Sequence, residues 1–350
     1  MQDFITIDAG FIPIETLKDL HWTVYSIDKK TVTFVKLPKA LSNYSIDRIP
    51  FVYMSIFNEA IYVVQMDLKS YIALGNELEI DTKPPKCLFF SNAARCASTL
   101  FGSMLHHTNH SFCIGEHPAL INLTIGICEN FWSDKDINEI ISATIKTIRK
   151  GFPSDQLFIF KTTSGEVILV PYLAQIFPEM KQIFMFRRGG LESIERMLSC
   201  DASYPILAQL NKTSEKLASI FGFYVIYKGQ VPSTLKPKNM REVAMLFYAT
   251  PYYTYKRNQR LFDFPIVWHH ELIATPEKIL KPIFEKLNIP DSCIPDALAR
   301  MQTDSQDNTF LSQKSMKHLT ASKIMTGEKE VLKFYANELQ MELDVLRLEN

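Results

Sequence analysis

The chain has 350 residues, 47% of them hydrophobic, and its 38 basic residues balance 38 acidic ones. That content supports a large buried core and excludes general disorder, while zero net charge without a basic stripe excludes a nucleic-acid footprint. No apolar run spans a bilayer, the six cysteines form no CxxC pair, and the N-terminus has no signal-peptide pattern, so the expectation is a cytoplasmic protein with reduced thiols and no membrane partner.

Residues 1–83 are rich in β-branched and aromatic residues. Thr31–Val35, Phe51–Ile56 and Ile61–Val64 read as short strands, which predicts an N-terminal β-rich extension or subdomain. Pro84 and Pro85 form a joint to a main domain over residues 84–350. There the pattern alternates. Strands are expected at Cys87–Phe90, Leu157–Phe160, Gln182–Phe186 and Pro265–Trp268. Helices are expected at Ser98–His107, Ile137–Ile148, Val167–Ile176, Leu191–Ser199, Glu242–Arg257 and Pro276–Leu287, the last capped by Thr275. An amphipathic helix over Glu328–Leu348 closes the chain. Short buried strands alternating with helices predict an α/β fold: three α/β/α layers around a central parallel sheet.

Four segments carry chemistry. The first runs from the strand at Cys87 through Asn92-Ala-Ala-Arg-Cys-Ala-Ser-Thr-Leu100 into a helix. A helix start offers free N–H groups and a positive dipole end, to which Arg95 adds a charge and Ser98 and Thr99 add hydroxyls. From the residues alone the segment is either a phosphate cradle or an ordinary capped turn. The GxxxxGK[ST] pattern of nucleoside-triphosphatases is absent, which weakens an ATP-using kinase reading. The second is Cys-Ile-Gly-Glu116, whose carboxylate is either a general base or a solvated loop group. His107, His110 and His117 are rival bases, and the cluster of His106, His107 and His110 lacks a firm metal-ligand pattern, so no metal is expected. The third is Lys161 at a strand's C-terminal end, where parallel sheets bind ligands; it is either a ligand-facing cation or a lysine snorkelling at a strand terminus. The fourth is Phe177-Pro-Glu-Met-Lys through Arg187-Arg188-Gly-Gly, an unusual concentration of charge for a purely structural turn, the alternative being a solvated basic turn.

Together these segments resemble sulfotransferases that use 3′-phosphoadenosine 5′-phosphosulfate (PAPS), and in motif they are closest to the tyrosylprotein and carbohydrate types. The resemblance covers Cys87 to Pro290 in four ordered blocks, ending with Glu271-Leu-Ile-Ala-Thr-Pro276. It implies a P-loop NTPase-like sulfotransferase fold. It implies that Arg95, Cys96, Ala97, Ser98 and Thr99 form the 5′-phosphosulfate loop. Glu116, 21 residues after Arg95, would be the catalytic base, with Lys161 and Arg95 beside the transferring group. Arg187 or Arg188 would bind the 3′-phosphate, the two registers differing by one residue. The family's helix serine falls on Arg196 when counted from Arg188 and on Glu195 when counted from Arg187. Ala97 stands where the family has glycine. The implied reaction moves a sulfuryl group from PAPS to an acceptor hydroxyl on a small molecule, peptide or glycan, leaving 3′-phosphoadenosine 5′-phosphate. The alternatives are a non-catalytic binding protein of the same fold or, less favoured, a P-loop kinase. A homodimer is left open. Asp304-Ser-Gln306 is a candidate for closing over the donor.

Overall fold

Residues 3–80, 83–200, 226–238, 240–307, 309, 311–317 and 326–347 are described by the computed structural model. Strands β1 (Trp22–Ile27), β2 (Thr31–Lys36) and β3 (Tyr62–Asp67) form an antiparallel sheet in that order. Phe51–Ile56, expected as a strand, lies instead in helix α1 (Val52–Asn58). Its buried Val52 and Ile56 are four residues apart, which is helical spacing, and so short an apolar run fits either pattern until packing decides. Helix α2 (Leu68–Glu77) follows β3 directly, started by the Asp67 carboxylate accepting from the Ser70 N–H at 2.9 Å.

The main sheet has five parallel strands: β4 (Lys86–Asn92), β5 (Ser111–Gly115), β6 (Leu157–Lys161), β7 (Lys181–Phe186) and β8 (Val267–Trp268). Their order is β5-β6-β4-β7-β8. The helices in chain order are α3 (Ser98–Leu105), α4 (Pro118–Cys128), α5 (Asp134–Arg149), α6 (Val170–Ile176), α7 (Leu191–Cys200), α8 (Met240–Asn258), α9 (His269–Ala274), α10 (Pro276–Leu287), α11 (Ile294–Ala299), α12 (Gln313–Met316), α13 (Thr326–Glu338) and α14 (Leu343–Leu346).

Strand residues are apolar on both faces because both faces are covered. Phe89, Phe112, Phe158 and Phe160 pack with the N-terminal sheet, α4, α5 and α6. Leu88, Phe90, Ile159, Ile183 and Met185 pack with α3, α10 and α11 on the opposite face. Phe184 and Phe186 join α8, α13 and α14. Each such aromatic, fully buried, stabilises the fold by roughly 2–3 kcal/mol. Residues 3–80 thus share a core with the main sheet, and Ile46 extends this connection by donating its N–H to the Cys113 carbonyl on β5 at 2.9 Å.

Three local expectations change. Thr275 is the N-cap residue of α10, as expected, but its side chain gives that helix no cap bond; its hydroxyl instead closes α9 by donating to the Glu271 carbonyl at 3.2 Å. The strand expected over Pro265–Trp268 narrows to β8. The C-terminal helix is broken between α13 and α14: Gln340 turns left-handed at φ 51, and the Met341 N–H reaches back to the Ala336 carbonyl at 2.8 Å. Leu348 lies outside the described residues. Among the described residues no helix is long and apolar enough to cross a membrane.

Candidate active site

The sheet order places the loops after β4 and β7 side by side while their chains depart toward opposite edges. That is the switch point where parallel sheets open a crevice at the C-terminal strand ends. The loop after β4 is clamped to both neighbours. The Asn92 side-chain amide donates to the Thr162 carbonyl beyond β6 at 2.7 Å, and the Ala93 N–H donates to the Met185 carbonyl on β7 at 3.1 Å. Arg95 and Ala97 then adopt left-handed backbone, φ 58 and 69. Ala97 is the N-cap of α3 and provides no side-chain cap, which leaves the first-turn N–H groups of that helix uncapped by it. A left-handed alanine costs roughly 1–2 kcal/mol, whereas glycine adopts this conformation freely; the position where the resembled pattern has glycine is therefore one whose backbone favours it. Cys96 between them is fully buried, and burial pushes its thiol up to about 11.

Gly115 on β5 and Lys161 on β6 are paired in register, as are Lys161 and Phe90 on β4, so these strand ends are level. The next residue after β5 is Glu116, left-handed at φ 53, with its N–H donating to the Lys161 carbonyl at 2.7 Å. The Lys161 ammonium donates to the Glu116 carboxylate. Lys161 is 2% exposed and Glu116 side chain 14%, so the carboxylate keeps the contact with solvent. A Cβ on Gly115 would lie 2.2 Å from the Pro50 carbonyl, so the N-terminal region presses on the backbone that carries Glu116.

Sequence reasoning missed Glu166. It lies just past the loop after β6, where its carboxylate accepts from the Thr163 hydroxyl and its Oε1 is buried without a hydrogen-bond partner. Burial, opposed by the Thr163 bond and reinforced by the charge of Glu116, raises its pKa to about 7. The signal was an acid opening the apolar run Glu166-Val-Ile-Leu-Val. The rival histidines have other engagements. The His117 Nδ1 accepts from the Ala119 N–H at 3.3 Å and so caps α4; its Nε2 meets the Thr23 hydroxyl of β1 at 3.2 Å, and burial lowers its pKa to about 3. His107 donates to the Met104 carbonyl at 2.9 Å, and His110 lies at the surface turn before β5.

The two arginines after β7 part company. The Arg187 Nη1 donates to the Arg95 carbonyl in the loop after β4 at 3.4 Å. Arg188 turns away, pairing with Asp344 of α14 at 2.8 Å and lying over the Trp268 ring at 4.5 Å. Arg196 falls on α7, but its side chain lies outside the described residues. Glu195 is buried and paired with Arg241 at 3.1 Å. A buried carboxylate at the serine register disfavours a phosphate there. Arg95 joins neither Glu116 nor Lys161 in any hydrogen bond; its Nη1 donates to Gln306 Oε1 at 2.6 Å, and Gln306 Nε2 donates to the Thr99 hydroxyl at 3.2 Å. Ser98 and Thr99 are buried in the first turn of α3. Two cavities, one beside Trp22 and Lys150 and one beside Pro276 and Lys281, are lined by none of these residues.

No family model and no curated protein matches the chain. Among solved structures, a sulfotransferase domain from the curacin biosynthetic pathway is similar with 15% identity and a TM-score of 0.42, over 74% of this chain and 98% of that one. A sulfotransferase from Mycobacterium avium gives 12% identity and a TM-score of 0.43, covering 79% of this chain and 82% of that one. A sulfotransferase from Alicyclobacillus acidocaldarius gives 10% identity and a TM-score of 0.38, covering 75% and 98%.

Proposed function

We propose that the protein is a sulfotransferase that uses PAPS to sulfate an acceptor hydroxyl. The observation that carries the reading is the Glu116–Lys161 pair, seated on level strand ends at the C-terminal edge of a parallel sheet, beside a left-handed loop that opens into α3. The loop fits an anion: it offers the N–H groups of α3, the Thr99 hydroxyl and the Arg95 guanidinium, with Arg187 crossing from the adjacent strand. The fit is poorer for a 3′-phosphate: Arg187 reaches the loop after β4, but Glu195 occupies the serine register.

When bound, the donor supplies an activated sulfuryl group: the acceptor oxygen bonds to sulfur as the sulfur–oxygen bond to the 5′-phosphate breaks. Glu116 takes the proton leaving the acceptor hydroxyl. Lys161 fixes the Glu116 carboxylate and offsets negative charge on the oxygens around sulfur. Arg95, Ser98 and Thr99 hold the 5′ end, and Arg187 holds the 3′ end. Acceptor class, small molecule, peptide or glycan, is set by loops independent of this chemistry.

Glu195 and the left-handed Ala97 favour a second reading, a protein that binds the nucleotide without turnover. Incubation with sulfur-labelled PAPS, a mixed panel of phenol, alcohol, glycan and tyrosine-peptide acceptors, and EDTA separates the two. The proposal predicts label transfer that persists with chelator and falls roughly 10²–10⁴-fold in Glu116→Gln. Binding of 3′-phosphoadenosine 5′-phosphate without transfer to any acceptor would favour the second reading.

A further inference from the structure

We propose that Gln306 is a positioning residue of the donor loop: its carboxamide fixes the direction of the Thr99 hydroxyl bond, making Thr99 a proton donor toward an anionic ligand. This rests on the proposed nucleotide-binding reading and assigns a role that the motif resemblance does not.

The direction of the two bonds is chemically forced. A guanidinium only donates, so the atom of Gln306 that meets the Arg95 Nη1 at 2.6 Å is its carbonyl oxygen. The amide nitrogen is then the group that faces the Thr99 Oγ1 at 3.2 Å, and it donates. A threonine hydroxyl has one proton and two lone pairs. With a lone pair of Thr99 occupied by the amide, its single proton is left to point elsewhere. A phosphate or sulfate oxygen only accepts, so a loop that binds one must present donors. Serine and threonine hydroxyls at a helix start are otherwise free to turn back and donate to protein acceptors.

The placement of Gln306 is built rather than incidental. The Asp304 carboxylate accepts from the Gln306 N–H at 3.0 Å and from the Gln313 N–H at 2.7 Å, and the Thr309 hydroxyl donates to the Gln306 carbonyl at 2.7 Å. This turn reaches the loop after β4 from more than 200 positions along the chain. It holds the carboxamide between a loop residue and a first-turn residue of α3, the two ends of the proposed cradle.

The test is calorimetric titration of 3′-phosphoadenosine 5′-phosphate into the wild type, Gln306→Leu, Gln306→Glu, Thr99→Val and the Gln306→Leu/Thr99→Val double variant. Leucine keeps the side-chain bulk. The inference predicts roughly tenfold weaker binding for Gln306→Leu and for Thr99→Val, with the double variant no weaker than the poorer single one, because both act through the same hydroxyl. Gln306→Glu binds more weakly than Gln306→Leu: a carboxylate draws the Thr99 proton to itself and places a negative charge against Arg95. Wild-type binding with Gln306→Leu equal or tighter would overturn the inference while leaving the nucleotide reading intact; the amide would then be a bystander or a competitor for the site. Additive losses in the double variant would also overturn it. No binding to the wild type would remove the nucleotide reading itself.

Discussion

Glu166 is the residue whose environment is most at odds with its chemistry. Its carboxyl is buried among apolar residues after β6, held by the Thr163 hydroxyl and facing the charge of Glu116, with one oxygen unpartnered. Its pKa rises from the ordinary 4.5 to about 7. An acid raised in the folded state holds its proton there after the unfolded chain has released it. Its contribution to stability is therefore present below pH 4.5, declines as pH rises toward 7, and is gone above that. The expected size is roughly 3 kcal/mol at most. Glu166→Gln should remove that slope, so urea unfolding midpoints for the variant and the wild type should converge toward pH 4.5 and separate by pH 8, with the variant more stable. Parallel curves would mean that the carboxyl is solvated. The places of Arg95 and Thr99 at a helix start and of Lys161 at a strand end were legible from chain pattern, whereas Glu116 was singled out only by the motif resemblance, since no strand was expected before it. Glu166 and Gln306 were not, or barely, since their meaning comes from what faces them across the fold. His117 was misread as a rival base when His-Pro at a helix start signals a cap followed by Pro118 at N1.

At the scale of elements, buried strands and long amphipathic helices were readable because period and apolar content agree. The strands expected at Leu157–Phe160 and Gln182–Phe186 and the helix at Ile137–Ile148 lie within β6, β7 and α5. Apart from the break in the C-terminal helix at Gln340, the failures fall on short segments. Phe51–Ile56 has too few residues to separate a period of two from one of 3.6, and β5 is a five-residue strand between a tight turn and Glu116. The N-terminal region was expected as mostly strand; its helix α2 shows what the composition hid. Gly75 of α2 lies so close to α5 that an added Cβ would sit 2.5 Å from the Ala143 Cβ. Gly→Ala within an exposed helix gains up to about 1 kcal/mol. Gly75→Ala should instead lose roughly 1–3 kcal/mol through overpacking, read as a lower urea midpoint at unchanged slope. A gain would show that the two helices are not in close contact.

For the whole molecule, five strands in the order β5-β6-β4-β7-β8 bring together side chains scattered from Arg95 to Arg187, and the turn at Asp304–Gln306 closes on them from the far end of the chain. The general α/β plan was visible from strand–helix alternation, whereas strand order was not, because order depends on which buried edges pair and not on any local pattern. That order leaves Arg187 against the loop after β4 and Arg188 tied to α14 and β8; the two sequence registers left both open as the 3′-phosphate ligand, and the proposal takes Arg187. The most direct measurement is the affinity of 3′-phosphoadenosine 5′-phosphate for the wild type, Arg187→Ala and Arg188→Ala by calorimetric titration. The cradle predicts binding of one nucleotide per chain, weakened at least about tenfold in Arg187→Ala and changed less than about twofold in Arg188→Ala. Absence of binding to the wild type, or equal affinity in Arg187→Ala, would contradict it.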